Sequence, residues 1–200
     1  MLNKGEVHMA ATLDIIIISA NEFSIHKIVK YMNENYRLNI EISKLIQIDN
    51  WLWEGERELS VGETLNTCLK NGKIVVIGLK SSLFKNLGIF VEKIDEKYIY
   101  TFWVDTESYP ELDLDIWNKD ICLKIFKGIE QIEKEFGDRV DVIAAGIETN
   151  LVYKKDRLEM IHDSENINVW GFDKFIITDD LLGFDRSKIG DRDIFVYTGK

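Results

Sequence analysis

The chain has 200 residues, of which 46% are hydrophobic, 11% aromatic and 30% charged. That composition excludes wholesale disorder, and the length suffices for one ordinary domain or two small ones with a core that needs no disulfide or metal staple. A formal net charge of −10 acts at long range against nucleic acid and anionic membrane and in favour of basic partners, although acidity also serves solubility alone.

The stretch from Met1 to Ala11 lacks the apolar centre of a signal peptide, and no apolar run approaches the roughly 20 residues of a membrane span. The apolar pattern begins at Leu13. A loose tail over 1–11 is therefore expected, followed by a single domain over 12–200, with a division into two subdomains near residue 82 as the alternative. Lys4-Gly5-Glu6 can be encoded by a purine-rich ribosome-binding stretch, which makes Met9 an alternative start to Met1.

Leu13 to Ser19 is a short β-branched run and predicts a central strand buried on both faces. Asn21 is placed to cap a helix from about Glu22 to Asn35, because Ile25, Ile28, Val29, Met32 and Tyr36 recur along one helical stripe. Arg37 to Ile48 alternates with the period of a half-exposed strand, so the opening reads β-α-β. Asn50 to Leu59 is polar enough for a long connecting loop. Ser60 and Glu63 have capping-box spacing and predict a short helix to about Lys70, which Asn71-Gly72 ends by tolerating left-handed backbone. Lys73 to Leu79 is another buried strand. Gly88 to Lys93 and Lys97 to Asp105 predict an antiparallel hairpin with Ile89 and Val91 on one face and Phe90 and Glu92 on the other. A long amphipathic helix is expected from Asn118 to Phe136, then strands at Asp141 to Glu148 and Ile167 to Phe172, and edge strands near Phe175 to Ile177 and Ile194 to Tyr197. The fold class that follows is α+β: a mixed, largely antiparallel sheet with two long amphipathic helices packed on one face.

The search for chemistry is mostly negative. His8, His26 and His162 have no ligand spacing, so no zinc is expected. Gly78-Leu79-Lys80-Ser81-Ser82 lacks the earlier glycine with which a phosphate loop cradles its ligand, and reads as a structural turn. No nucleophile elbow or dinucleotide fingerprint is present. Cys68 and Cys122, the only cysteines, sit among apolar neighbours and read as small buried hydrophobes, consistent with a reducing cytoplasm. Five carboxylates fall between Asp105 and Asp115, but Pro110 occupies the position where a calcium loop needs glycine, so the segment reads as solvated. No cofactor is expected.

Three segments concentrate the acidity: around Glu54, around Asp113 and Asp115, and from Asp179 to Asp193. Only the first adds aromatic anchors, in Trp51-Leu52-Trp53-Glu54-Gly55-Glu56-Arg57-Glu58. Two tryptophans two apart on extended backbone would point the same way, and acids beside them would steer a basic partner. A hydrophobic lid over the core is the plainer reading. Trp51, Trp53, Glu54, Glu56, Glu58, Asp113 and Asp115 are the candidate partner-binding residues.

The hairpin Gly88-Ile-Phe-Val-Glu-Lys93 to Tyr100-Thr-Phe-Trp-Val-Asp105, then Ser108-Tyr-Pro-Glu-Leu-Asp113, the long helix and the strand Val142-Ile-Ala-Ala-Gly-Ile-Glu148 resemble the immunity proteins of bacterial polymorphic and contact-dependent toxin systems, in architecture and composition over Gly88 to Phe172. That resemblance implies a cytoplasmic, non-enzymatic protein whose acidic surface plugs the basic groove of a toxin such as a nuclease. It carries no site residue across. Two other functions fit the sequence: a structural or regulatory interaction protein, and a small-molecule enzyme using carboxylates such as Asp105 or Glu148 as acid or base. Oligomeric state is left open.

Overall fold

The structure, a computed structural model, describes residues 12–36, 39–60, 63–82, 86–105, 140–147, 151–154, 157–160, 167–172, 176–177, 185–189 and 192–198. Strand β1 (Thr12–Ser19) contains four consecutive isoleucines, Ile15 to Ile18, and all four are buried. A run with no polar alternation needs apolar cover on both faces: Ile15 and Ile17 join the main core, Ile16 and Ile18 are buried as well, and β1 lies inside a large sheet between two other strands. Helix α1 (Ile25–Tyr36) follows, burying Ile25, Ile28 and Val29. Asn21 does not cap it. Its backbone N–H is taken by Ser19 Oγ at 3.0 Å, while the Ser24 carbonyl accepts from Lys27 and Ile28 at the helix start.

Strand β2 (Ile40–Ile48) carries a register shift between Ile42 and Lys44 in its pairing with β4. One extra residue in a strand inverts which side chains face which way. Ile40, Ile42 and Leu45 therefore join the core on one face of the sheet, whereas Ile46 and Ile48 join a second cluster. Strand β3 (Arg57–Glu58) pairs back onto Ile46 and Gln47, so part of the expected long loop is a hairpin. The Glu63 carboxylate does reach the Ser60 N–H at 2.7 Å, as a capping box requires. The helical turn α2 (Leu65–Cys68) nevertheless starts later, capped by Thr64. Asn71 and Gly72, both with positive φ, close the turn that follows.

Strands β4 (Ile74–Ser81), β5 (Leu87–Ile94) and β6 (Lys97–Asp105) form a meander. Gly78 to Ser81 is extended and paired with β2, so it is strand and not the turn expected there. Asp95 and Glu96, both with positive φ, make the two-residue hairpin turn between β5 and β6. Beyond residue 139 come β7 (Val140–Ile147), β8 (Leu151–Lys154), β9 (Arg157–Met160), β10 (Ile167–Phe172), β11 (Ile176–Ile177), β12 (Asp185–Ile189) and β13 (Arg192–Thr198).

Among the described residues, ten strands form one sheet in the order β12-β13-β10-β7-β1-β6-β5-β4-β2-β3, with every pairing antiparallel. β8, β9 and β11 form a separate small sheet whose β9–β11 pairing is parallel. The Ile194 to Tyr197 stretch, expected at an edge, lies inside the large sheet between β10 and β12. The described core belongs to the six-stranded part β1-β6-β5-β4-β2-β3.

These observations correct the α+β expectation. The described chain is sheet-dominated, and its helices are α1 with 12 residues and the four-residue turn α2 rather than two long amphipathic helices on one face. The physical reason is visible in the β2 to β6 region, where β-branched and aromatic residues face both sides of the sheet and are buried by neighbouring strands as well as by α1 and α2. The expected Asn118 to Phe136 helix and the tail over 1–11 lie outside the described residues.

The main core packs Ile15, Ile17, Val75, Ile77, Ile89, Val91, Tyr98, Tyr100 and Phe102 from the sheet against Phe23, Ile25, Ile28 and Val29. One polar clasp orients α1 on the sheet: the Asn33 amide donates to the Ile40 carbonyl at 2.7 Å and accepts from the Ile40 N–H at 2.6 Å. It pairs with that residue as a neighbouring strand would. Replacing Asn33 by Ala leaves both groups unmatched, and a loss of about 1–3 kcal/mol is expected from the shift in urea midpoint.

Candidate protein-binding site

The β2–β3 hairpin lies at one edge of the large sheet, and residues 49–56 connect its strands. Residues 49–54 close on themselves: the Asp49 N–H donates to the Glu54 carbonyl at 2.8 Å, the Trp53 N–H to the Asn50 carbonyl at 3.1 Å, and the Leu52 N–H to Asn50 Oδ1 at 2.9 Å. Asn50 Nδ2 also donates to Glu54 Oε2 at 2.6 Å. Asparagine favours this arrangement because its short amide can imitate a backbone turn. Gly55 has φ +64°, where a larger residue is strained, and a Cβ there would lie 2.1 Å from the Asp49 carboxylate and displace it. Asp49 is held in turn by Lys73 at 2.9 Å.

Trp51, Leu52 and Trp53 are 51%, 81% and 47% exposed at this tip. They do not lie side by side on an extended strand as the spacing suggests, because Trp53 has φ +60°. Left-handed backbone costs a bulky residue roughly 1–2 kcal/mol. Trp51 instead folds back onto the sheet. Its ring meets Phe90 edge-on with centroids 5.0 Å apart, and Phe90 stacks on Trp103 at 5.9 Å. Trp51 Nε1 donates to Glu92 Oε1 at 3.2 Å.

Glu92 is half-buried on the same sheet face. Burial pushes its carboxyl above the ordinary carboxylate range, and the Trp51 hydrogen bond opposes that shift only in part. The sign follows directly. Because the folded state holds the proton more tightly than the unfolded one, this group makes stability fall as pH rises from the ordinary carboxylate range through the raised folded value. Glu92→Gln keeps an acceptor for Trp51 and removes the ionisation, so its urea midpoint should exceed that of the parent at neutral pH and the difference should vanish in acid.

Electrostatics at the hairpin are one-sided. Arg57 is the lone base between residues 49 and 58, and it is already engaged. Its guanidinium grips Glu63 through Nη2 at 2.9 Å and Nη1 at 3.3 Å, and also donates from Nε at 3.1 Å to Oε1 of the buried Gln47. Gln47 in turn donates to the Cys68 carbonyl. The Arg57 hydrogen bond, helped by the Ser60 N–H, holds the Glu63 carboxyl below its usual value. With Lys73 on Asp49 and Arg57 on Glu63, the exposed Glu54, Glu56 and Glu58 have no ion pair among the described residues.

The structure therefore gathers Trp51, Trp53, Glu54, Glu56 and Glu58 on one hairpin, whereas Asp113 and Asp115 lie outside the described residues. Asp185 falls at the start of β12, on the edge of the sheet opposite β3. Two contributors are missing from the sequence-derived candidates. Leu52 is the most exposed of the three apolar residues, and its place between two tryptophans is the signal that could have found it. Glu92 reads in the sequence only as one face of a strand, and nothing local links it to Trp51.

Chemistry elsewhere is sparse. No group of three or more metal-capable side chains occurs among the described residues, and His26 is exposed on α1. Cys68 is buried, and burial raises its thiol above the usual range. No helix among the described residues is long and apolar enough to cross a membrane. No protein-family model matches the chain, and neither a curated protein nor a solved structure matches it.

Proposed function

We propose that this chain is an acidic binding protein that neutralises a cognate basic toxin, docking through the β2–β3 hairpin. One observation carries the reading: a closed turn presents exposed Trp51, Leu52 and Trp53 beside the carboxylates of Glu54, Glu56 and Glu58, while the neighbouring bases Arg57 and Lys73 are paired with Glu63 and Asp49. Exposed aromatic and apolar side chains supply anchoring area, and unmatched like charges around them accelerate encounter with a basic surface while repelling acidic ones. The net charge of −10 acts in the same direction and against nucleic acid as the partner. Resemblance in composition to bacterial immunity proteins supports a toxin as that partner.

The test uses the full chain as bait in cells of its source, captured at about 0.05 M salt and eluted at about 0.5 M, where exposed charges are screened over a few ångströms. A basic protein should be retained, should arrest growth when expressed alone, and should be harmless when this chain is co-expressed. Charge reversal of Glu54, Glu56 and Glu58 to Lys should abolish the rescue. Retention of no basic protein would overturn the proposal. A retained basic protein without toxicity would replace it with a regulatory interaction.

A further inference from the structure

Within that proposed function, we infer a division of labour at the hairpin tip: Leu52 and Trp53 are the residues that enter the partner, and Trp51 is the strut that holds them in place. The partner surface that fits is an apolar pocket large enough for a leucine and one indole, rimmed by lysine or arginine side chains that meet Glu54, Glu56 and Glu58.

Trp53 carries the first argument. Among the described residues, five other than glycine have positive φ: Asn39, Trp53, Asn71, Asp95 and Glu96. Asparagine and aspartate tolerate that backbone readily, and a two-residue hairpin turn requires it of Asp95 and Glu96. Trp53 is neither asparagine nor aspartate, yet it takes this backbone to close the 49–54 turn. Trp53 holds that backbone with 47% of its surface exposed, and strain of this kind concentrates where a protein binds. Glycine would make the same turn without strain.

Leu52 carries the second. It is 81% exposed at the tip, with its N–H bound by Asn50, so the backbone beneath it is fixed while the side chain has little cover. Trp51 differs from both, since its indole rests on Phe90 and donates to Glu92. Four hydrogen bonds within residues 49–54, the Asp49–Lys73 ion pair and the Trp51 contacts hold the tip in one conformation before binding. A surface already ordered loses little entropy on association. A second copy of this chain is a poor occupant, because it would bring the same unmatched carboxylates to the contact.

The test measures stability and affinity on the same variants, using as probe the basic protein retained in the capture experiment, purified and titrated by calorimetry. Trp53→Gly relieves the strain of left-handed backbone but gives up a half-buried indole and adds freedom to the unfolded chain, so its melting temperature should stay within about 4 °C of the parent, while the probe is weakened by about 30-fold or more. Leu52→Asp should weaken it as strongly with no change in melting temperature. Trp51→Phe keeps a ring on Phe90 and should change affinity by no more than about threefold, less than 1 kcal/mol. A Trp53→Gly variant that melts more than about 4 °C below the parent shows the tryptophan to be structural and overturns the inference. Tip variants that bind the probe as the parent does overturn it while leaving the proposed function standing, whereas absence of any basic probe removes both. A self-associated parent that Leu52→Asp turns monomeric in sedimentation would assign the tip to a second copy and overturn it as well.

Discussion

Replacing Tyr100 by Ala should cost about 3–5 kcal/mol, enough to unfold much of a marginally stable domain. Tyr100 sits on β6 at the centre of the described core and is completely buried. Its ring meets Phe23 edge-on at 5.5 Å and stacks with Tyr98 at 6.4 Å. Its hydroxyl accepts from the Phe23 N–H at 2.7 Å, in the segment that enters α1. One side chain thus fills the space between helix and sheet and satisfies a buried backbone donor there. Tyr100→Phe separates the two roles, because it keeps most of the volume and leaves that N–H unmatched. A loss of about 1–3 kcal/mol is expected for Phe. Urea unfolding should show both midpoints lowered with the slope unchanged. A Phe variant as stable as the parent would mean that the hydroxyl contributes nothing to anchoring α1.

Gly88→Val should be the next most damaging change, at about 1–3 kcal/mol. Valine favours strands, so propensity alone predicts a gain. The geometry predicts the reverse. Gly88 pairs with Trp103 across β5 and β6, and an added Cβ would lie 2.7 Å from the Trp103 ring. Trp103 also stacks on Phe90, which supports Trp51, so its displacement reaches the hairpin tip. Near-ultraviolet circular dichroism and tryptophan emission should therefore change together with stability. Combining Gly88→Val with Trp103→Ala should cost less than the sum of the two single changes, because the small side chain relieves the clash. Simple additivity would place the cost in the strand backbone instead.

Several strands are legible in the amino-acid sequence, and the reason is local. β1, β4, β5 and β6 read within two residues of their ends because each is a compact β-branched or aromatic run bounded by turn residues. Asn71-Gly72 can be seen as a stop because left-handed backbone is a property of those side chains themselves. The β2 bulge is not legible. Its alternation looks regular, and only the pairing of Lys44 with Gly78 shows the phase to have changed, which buries Gln47 and sends Ile46 and Ile48 to the second cluster. Nor can the short β3 be read, since Arg57 and Glu58 have no apolar pattern and acquire strand geometry from β2.

The hairpin that opens on Trp51 shows where the division falls. Its composition, three apolar residues followed by acids, is determined by the sequence, and so is the long-range acidity of the chain. Which tryptophan is a strut, which residue is most exposed and which carboxylate is half-buried are decided only by tertiary structure. Those properties belong to pairs separated by about forty positions, Trp51 with Phe90 and Glu92, and they exist only once β2, β4 and β5 lie side by side. Charge and propensity are carried by single residues, whereas burial and orientation are set by what the fold brings against them.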